Sequence, residues 1–137
     1  MHRQPKYFVT CFGEAHADEH PIDGGCYPHH SRWVERLDIQ ERDVMLLYCA
    51  AGYRGHHMEA PGIGIVLRTE ATEAEDIIYY RYLPFDSPID REAIVGCLDE
   101  QEKRKFIACR FIPNWMIEVK APTLLQKVLR GRTINWP

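Results

Sequence analysis

Cys26 and His29 stand as C-x-x-H, with His30 directly after them. Zinc accepts Cys thiolates and His nitrogens, and a catalytic zinc leaves one coordination position open. The same pair suits a second chemistry, because a histidine beside a thiol lowers its pKa and makes it a nucleophile. His16 and His20 stand as H-x-x-x-H, and His56 and His57 are adjacent. Against a metal or thiol enzyme, there is no paired C-x-x-C, no H-E-x-x-H and no evident third group to orient a thiol–imidazole pair. Seven histidines in 137 residues produce such spacings by chance. The run GIGIVL lacks the lysine of a phosphate-binding P-loop, so nucleotide hydrolysis has no support. No metal and no cofactor are predicted, and a zinc or thiol enzyme using Cys26, His29 and His30 stays as an alternative.

The stretch DVMLLYCAAGYRGHHMEAPGIGIVL, residues 43–67, separates two apolar runs by a loop carrying Tyr53, Arg54, His56 and His57. A plain hairpin needs only a few turn residues. The loop could serve a ligand, a metal or only solvent.

Charge is spread unevenly along the chain. Residues 1–100 carry 9 Lys/Arg against 18 Asp/Glu, and residues 101–137 carry 8 against 2. Such asymmetry can mark a nucleic-acid surface, or it can interleave and cancel in the fold. A chain of net charge −3 is a poor coat for long duplexes, which requires phosphate neutralisation.

The elements that must position these groups are mostly strands. KYFVTCF (Lys6–Phe12) reads as a first strand, followed by a long loop over residues 13–30. Ser31 would cap a short helix, RWVERL, with Trp33 and Leu37 sharing a face. Val44–Ala50 reads as a strand buried on both faces. Gly62–Thr69 follows, its two glycines implying close backbone approach or a bulge. Residues 70–76 are acidic and exposed, and Ile77–Leu83 is a strand ended by Pro84 and Pro88. A helix over Asp90–Leu98 has Ala93, Ile94 and Cys97 on its apolar side, and QEKRK is a charged connection. Lys105–Phe111 and Trp115–Val119 are expected to be extended. Pro122 opens a terminal helix that Gly131 closes. The absence of regular β-α-β alternation implies a curved or barrel-like sheet with peripheral helices, an α+β protein.

With 137 residues, 45% of them hydrophobic, the chain is expected to form one domain over 1–137 that buries a core without disulfides. The five cysteines are irregularly spaced, as expected of buried thiols in a reducing compartment. No apolar run suffices for a bilayer span or a secretory signal, so a cytoplasmic location and no membrane contact are expected.

This order of elements resembles the EVE domain, a branch of the PUA-like superfold. The likeness rests on KYFVTCF, on LDIQERDVMLLY against an "I-x-x-G-D" turn leading into an apolar strand, on PGIGIVLRTEA, and on YYRYLPF with the late FIPNWMIEV. Arg42 stands where that family commonly has Gly, implying a different turn, and residues 13–30 lack the family's wording. The resemblance implies a mixed β pseudo-barrel with peripheral short helices and a pocket beside the first strands. It also implies a reader rather than a catalyst, whose partner is nucleic acid, DNA or RNA, carrying a modified base. An effector protein is a further expected partner.

Holding a flipped base takes planar walls and polar edge groups. On this expectation Tyr27, Trp33, Tyr53 and Trp115 are candidate walls. His29, His30, Asn114 and the backbone beside Cys11 and Phe12 are candidate edge groups. Arg32, Arg54, Lys105 and Arg110 are candidate phosphate contacts. Each also has a structural role open to it: Trp33 and Trp115 as core anchors, Asn114 as a turn residue, Tyr53 and Arg54 as loop decoration. An RNA-binding PUA-like domain indifferent to modification is the alternative within binding modules.

Overall fold

The computed structural model describes residues 3–13, 20–29, 32–53, 55–109, 115–134 and 136. Six strands form one curled sheet, a half-barrel, with short helices around it: β1 (Tyr7–Phe12), β2 (Cys26–His29), β3 (Val44–Cys49), β4 (Glu59–Ala71), β5 (Asp76–Asp90) and β6 (Met116–Val119). Their order across the sheet is β2-β5-β4-β3-β1-β6. Among the described residues β1 and β3 run parallel and the other pairs are antiparallel. The expected α+β pseudo-barrel class is the one observed. No helix among the described residues is long and apolar enough to cross a membrane.

Strand β3 is central and buried along its whole length, as its unbroken apolar run demands. Successive side chains of β1 and β3 alternate between two cores. Val9, Cys11, Val44, Leu46 and Tyr48 face a layer built by helices α2 (Arg91–Cys97) and α3 (Glu100–Ala108) and a terminal π-helix (Pro122–Val128). Phe8, Phe12, Met45, Leu47 and Cys49 face the inside of the curl, together with Tyr27, Tyr53, Ile78 and Tyr80. Helix α1 (Trp33–Leu37) packs against this interior through Trp33, Val34 and Leu37.

Three buried carboxylates tie the frame together. Asp43 accepts both terminal nitrogens of Arg3 at 2.8 and 2.9 Å and the backbone N–H groups of Lys6 and Gln40 at 2.9 and 2.8 Å. Asp76, at the start of β5, accepts from Arg32 at 3.1 Å and from the Val34 N–H at 3.2 Å, fastening α1 to the sheet. Glu102 accepts the N–H groups of Asp99 and Lys120 and the Thr123 hydroxyl at 3.0, 2.6 and 2.7 Å, joining α3, β6 and the π-helix.

The structure departs from several sequence expectations: QEKRK, expected as a charged connection, is helical within α3, and Asp76, expected exposed with residues 70–76, is buried. Residues 13–30 contain a strand, β2, at the sheet edge, where Pro28 needs no ladder N–H. Strand β5 continues through Pro84 and Pro88, because its register against β4 breaks between Ala60 and Gly62 and leaves both prolines beside a bulge. The expected strand over Lys105–Phe111 is replaced through Ala108 by α3, nucleated by a capping box between Asp99 and Glu102. Arg42 has φ +80°, the conformation a glycine favours, so the turn into Asp43 has a left-handed geometry where a different turn was expected.

Candidate functional site

The interior core is closed by a chain of rings. Trp33 lies 5.9 Å from His29, His29 stacks at 6.0 Å on Tyr27, and Tyr27 meets Phe12 edge-on at 4.9 Å. Phe12 in turn contacts Tyr53 at 5.8 Å and Tyr80 at 6.3 Å. Tyr27 and His29 share a face because they are two apart on β2. Five of the proposed base-binding residues, Phe12, Tyr27, His29, Trp33 and Tyr53, are thus brought into one aromatic ladder. The Tyr27 hydroxyl donates to the Cys11 carbonyl at 2.8 Å and seals β2 against β1. Burial pushes the Tyr27 phenol well above its ordinary value, so it stays a donor.

Most of this ladder is packed rather than open. Phe12 and Tyr27 have no exposed surface. The backbone at Cys11 and Phe12 is engaged: the Cys11 N–H donates to Trp115, and the Phe12 carbonyl accepts from Ala50. One face of Trp33 lies under the Arg36 guanidinium at 4.7 Å. Its indole nitrogen and the Thr10 hydroxyl are buried and have no hydrogen-bond partner among the described residues. Trp115 belongs to the other core, against Tyr48 and Phe106, because its neighbour Met116 takes the interior face. Its backbone reaches the ladder and its ring does not.

Among the described residues one opening, of about 300 Å³, lies beside α3 and β6 and is lined in part by Lys105, and another lies at the end of the half-barrel, under the loop after β3. A pocket of about 290 Å³ there is lined by Pro21, Ile22, Asp23, Tyr53, Gly55, His56 and Tyr82. The short 3-10 turn Ile22–Gly24 supplies one wall. Tyr53 anchors that turn: its hydroxyl accepts from the Ile22 N–H at 2.9 Å and donates to the His20 carbonyl at 3.2 Å. The Tyr80 hydroxyl holds the Ile22 carbonyl from below. Tyr82 lines the pocket two residues further along β5, and burial raises its phenol to about 12. These two rings can lie across β4 because Gly62 and Gly64 stand opposite. A Cβ on Gly64 would come within 2.7 Å of the Tyr80 ring, and one on Gly62 within 2.5 Å of the Leu83 carbonyl. Asp23 and His56 supply polar edges, with His56 Nδ1 held 2.8 Å from the Glu59 carboxylate.

The sequence singled out Tyr53 in this pocket but not Asp23, His56 or Tyr82 as ligand contacts. The alternation in IIYYRYL, set against the glycines of GIGIVL, is the signal that places aromatic rings over small residues. Among the proposed phosphate contacts, Arg32 is spent inside the fold on Asp76 and on the carbonyls of Thr72 and Glu73. Lys105 is exposed on α3, away from the lining of this pocket. His30, Arg54, Arg110 and Asn114 lie outside the described residues, as does Ser31.

For the metal and thiol alternatives the described residues include Cys26 and His29 but not His16 or His30. Cys26 and His29 are three apart on a strand and so project from opposite faces. Burial raises the Cys26 thiol, the opposite of activation. No cluster of metal-ligating side chains occurs among the described residues. No protein-family model matches the sequence, and no curated protein matches it.

Proposed function

We propose that this chain is a non-catalytic binding module for nucleic acid, taking up one base swung out of its stack in the pocket beneath the 50–58 loop. The observation that carries the reading is the combination, in one cavity of about 290 Å³, of two tyrosine side chains with a carboxylate and an imidazole. A flat heterocycle needs both kinds of contact, and ring stacking contributes about 1–3 kcal/mol per base. The curled half-barrel accords with the EVE-type resemblance, in which a modified base is the determinant read. A cytoplasmic setting suits five free thiols.

A second reading, RNA binding without modification specificity, draws on a different surface. Arg104, Lys105, Lys127 and Arg130 are exposed on α3 and around the π-helix, with no ion pair among the described residues. That reading predicts steep salt dependence.

The test is a binding screen of single-stranded and duplex oligonucleotides, each with and without common modified bases. One modified oligonucleotide should bind at least tenfold tighter than its unmodified twin, and Tyr82→Ala should remove roughly 1–3 kcal/mol of that binding. Salt-steep binding without discrimination assigns the chain to the second reading. Equal, very weak binding to all of them refutes both.

A further inference from the structure

We infer that the groove between α3 and the open edge of β6 takes up an extended peptide segment of a partner protein, adding it to the sheet as a further strand with a basic side chain against Glu118 and an acidic neighbour against Lys105. Strand β6 ends the sheet order and, among the described residues, pairs on one side, with β1. The Cys11 N–H donates to the Trp115 carbonyl at 2.8 Å. Backbone groups of an antiparallel strand point alternately toward the partner and away from it. Trp115, Ile117 and Val119 therefore face β1, and Met116, Glu118 and Lys120 face outward. Lys120 shows that direction: its N–H meets the Glu102 carboxylate at 2.6 Å, and its carbonyl accepts from the Leu124 N–H at 3.2 Å. At Glu118 neither backbone group has a partner among the described residues.

An edge with an unpaired N–H and C=O is a template for another chain. Helix α3 flanks this edge without filling the space beside it. The cavity of about 300 Å³ lies between Gln101, Glu102 and Lys105 of α3 and the β6 end from Glu118 to Lys120. Gln101 and Lys105 are four apart and border it as one stripe. A groove of this kind suits strand addition, in which main-chain bonds hold the peptide and alternate side chains select it. The charges narrow the selection. Glu102 is spent inside the fold, and Lys120 Nζ is held by Asp99 at 2.6 Å. Lys105 and Glu118 are the lining charges with no ion pair among the described residues. A residue paired with Glu118 shares its sheet face, where an opposite charge is favoured. The peptide's next residue turns to the other face, that of Ile117 and Val119, which α3 covers. An acidic side chain there meets Lys105. A second copy of β6 would set Glu118 against Glu118 or Met116, since the Lys120 backbone is already taken. A nucleic-acid backbone has no N–H to give the Glu118 carbonyl.

The experiment titrates the isotope-labelled full chain with the acetylated, amidated peptide Thr-Val-Glu-Arg-Glu-Val-Thr, whose side-chain order reads the same in either strand direction. Binding should shift the amide resonances of Glu118 and Val119 and slow solvent exchange of the Glu118 N–H. The same peptide N-methylated at its arginine cannot donate to the Glu118 carbonyl and should bind roughly tenfold weaker or worse. The charge-swapped Thr-Val-Arg-Glu-Arg-Val-Thr should bind roughly fivefold weaker. Lys105→Glu combined with Glu118→Lys, both exposed, should reverse the order of those two peptides. The N-methyl comparison uses the unaltered chain and needs no variant to fold. An unshifted Glu118 amide, equal binding of the N-methylated peptide, or an order that the double variant leaves unchanged overturns the inference. Protection of the Glu118 amide that grows with protein concentration in the absence of peptide overturns it in favour of a second copy. Displacement of the peptide by a single-stranded oligonucleotide overturns it in favour of nucleic acid.

Discussion

Arg42→Gly should stabilise the protein. Arg42 occupies the turn into β3 with φ +80°, and its side chain is exposed. An L-residue held in the left-handed region costs about 1–2 kcal/mol. Glycine relieves that strain but gains freedom in the unfolded chain, a cost of about 0.5–1 kcal/mol. The hydrogen bond from the Arg42 N–H to the Val66 carbonyl, 2.8 Å, belongs to the backbone and survives the change. The net expectation is a gain of about 0.5–1 kcal/mol, or a few degrees in Tm. Urea unfolding followed by tryptophan fluorescence measures it, provided the m value is unchanged. Arg42→Ala separates the side chain from the backbone and should lie near wild type. If the glycine variant is no more stable than wild type while the alanine variant is neutral, the turn is not left-handed in solution.

Three further outcomes follow from the packing. Glu102→Ala leaves the N–H groups of Asp99 and Lys120 and the Thr123 hydroxyl without their acceptor, and should cost about 2–4 kcal/mol by chemical denaturation. Glu102→Gln, which keeps one acceptor oxygen, should cost clearly less. Gly62→Ala should destabilise more than Gly64→Ala, by calorimetry, because the first meets the Leu83 carbonyl and Pro84 Cα while the second meets a tyrosine ring that can shift. Stability should also fall on the alkaline side. Burial raises Tyr48 to about 12 and Tyr80 further, so the unfolded chain loses these protons first. Their contribution is complete below about pH 10 and declines above it as pH rises toward the folded values, by up to roughly 1.4 kcal/mol per pH unit for each tyrosine. Urea midpoints that stay flat from pH 9 to 12 would contradict this.

Strands with strong periodicity were legible in the sequence, and so was the curled α+β class. VMLLYC buries every residue because it lies mid-sheet between β1 and β4, as its unbroken apolar run implied. CYPH has no such pattern; a four-residue edge strand containing proline is held by its pairing with β5, a contact 50 residues away in the chain that local propensity does not carry. KFIACRF alternates like a strand, yet its first half is helical, because the Asp99–Glu102 capping box acts from upstream. The terminal helix was anticipated from Pro122 and Gly131, but its π winding exposes Leu125, which α spacing would place on the apolar stripe. At the site, residue type identified the aromatic residues that cluster, but not which of them face a cavity. That depends on the register of β5 over Gly62 and Gly64.

That register also decides where a ligand can enter. The seam between β1 and β2 holds the richest set of rings, but Tyr27 closes it with a buried hydrogen bond, and the Phe12 ring is enclosed by three tyrosines. Opening the seam would break that bond and expose large apolar surface, a far greater cost than stacking one base returns. The barrel end carries no such cost. Its wall is the Ile22–Gly24 turn, hung from the Tyr53 and Tyr80 hydroxyls, and its concavity stands open beside Tyr82. The loop after β3 is therefore more than a connection between strands. Tyr53 pins the opposite wall, and Gly55 and His56 line the cavity, so shortening the loop to a two-residue turn should leave the sheet folded and remove the pocket. A loop-shortened variant that keeps its thermal stability and still titrates with nucleosides would place the binding surface elsewhere.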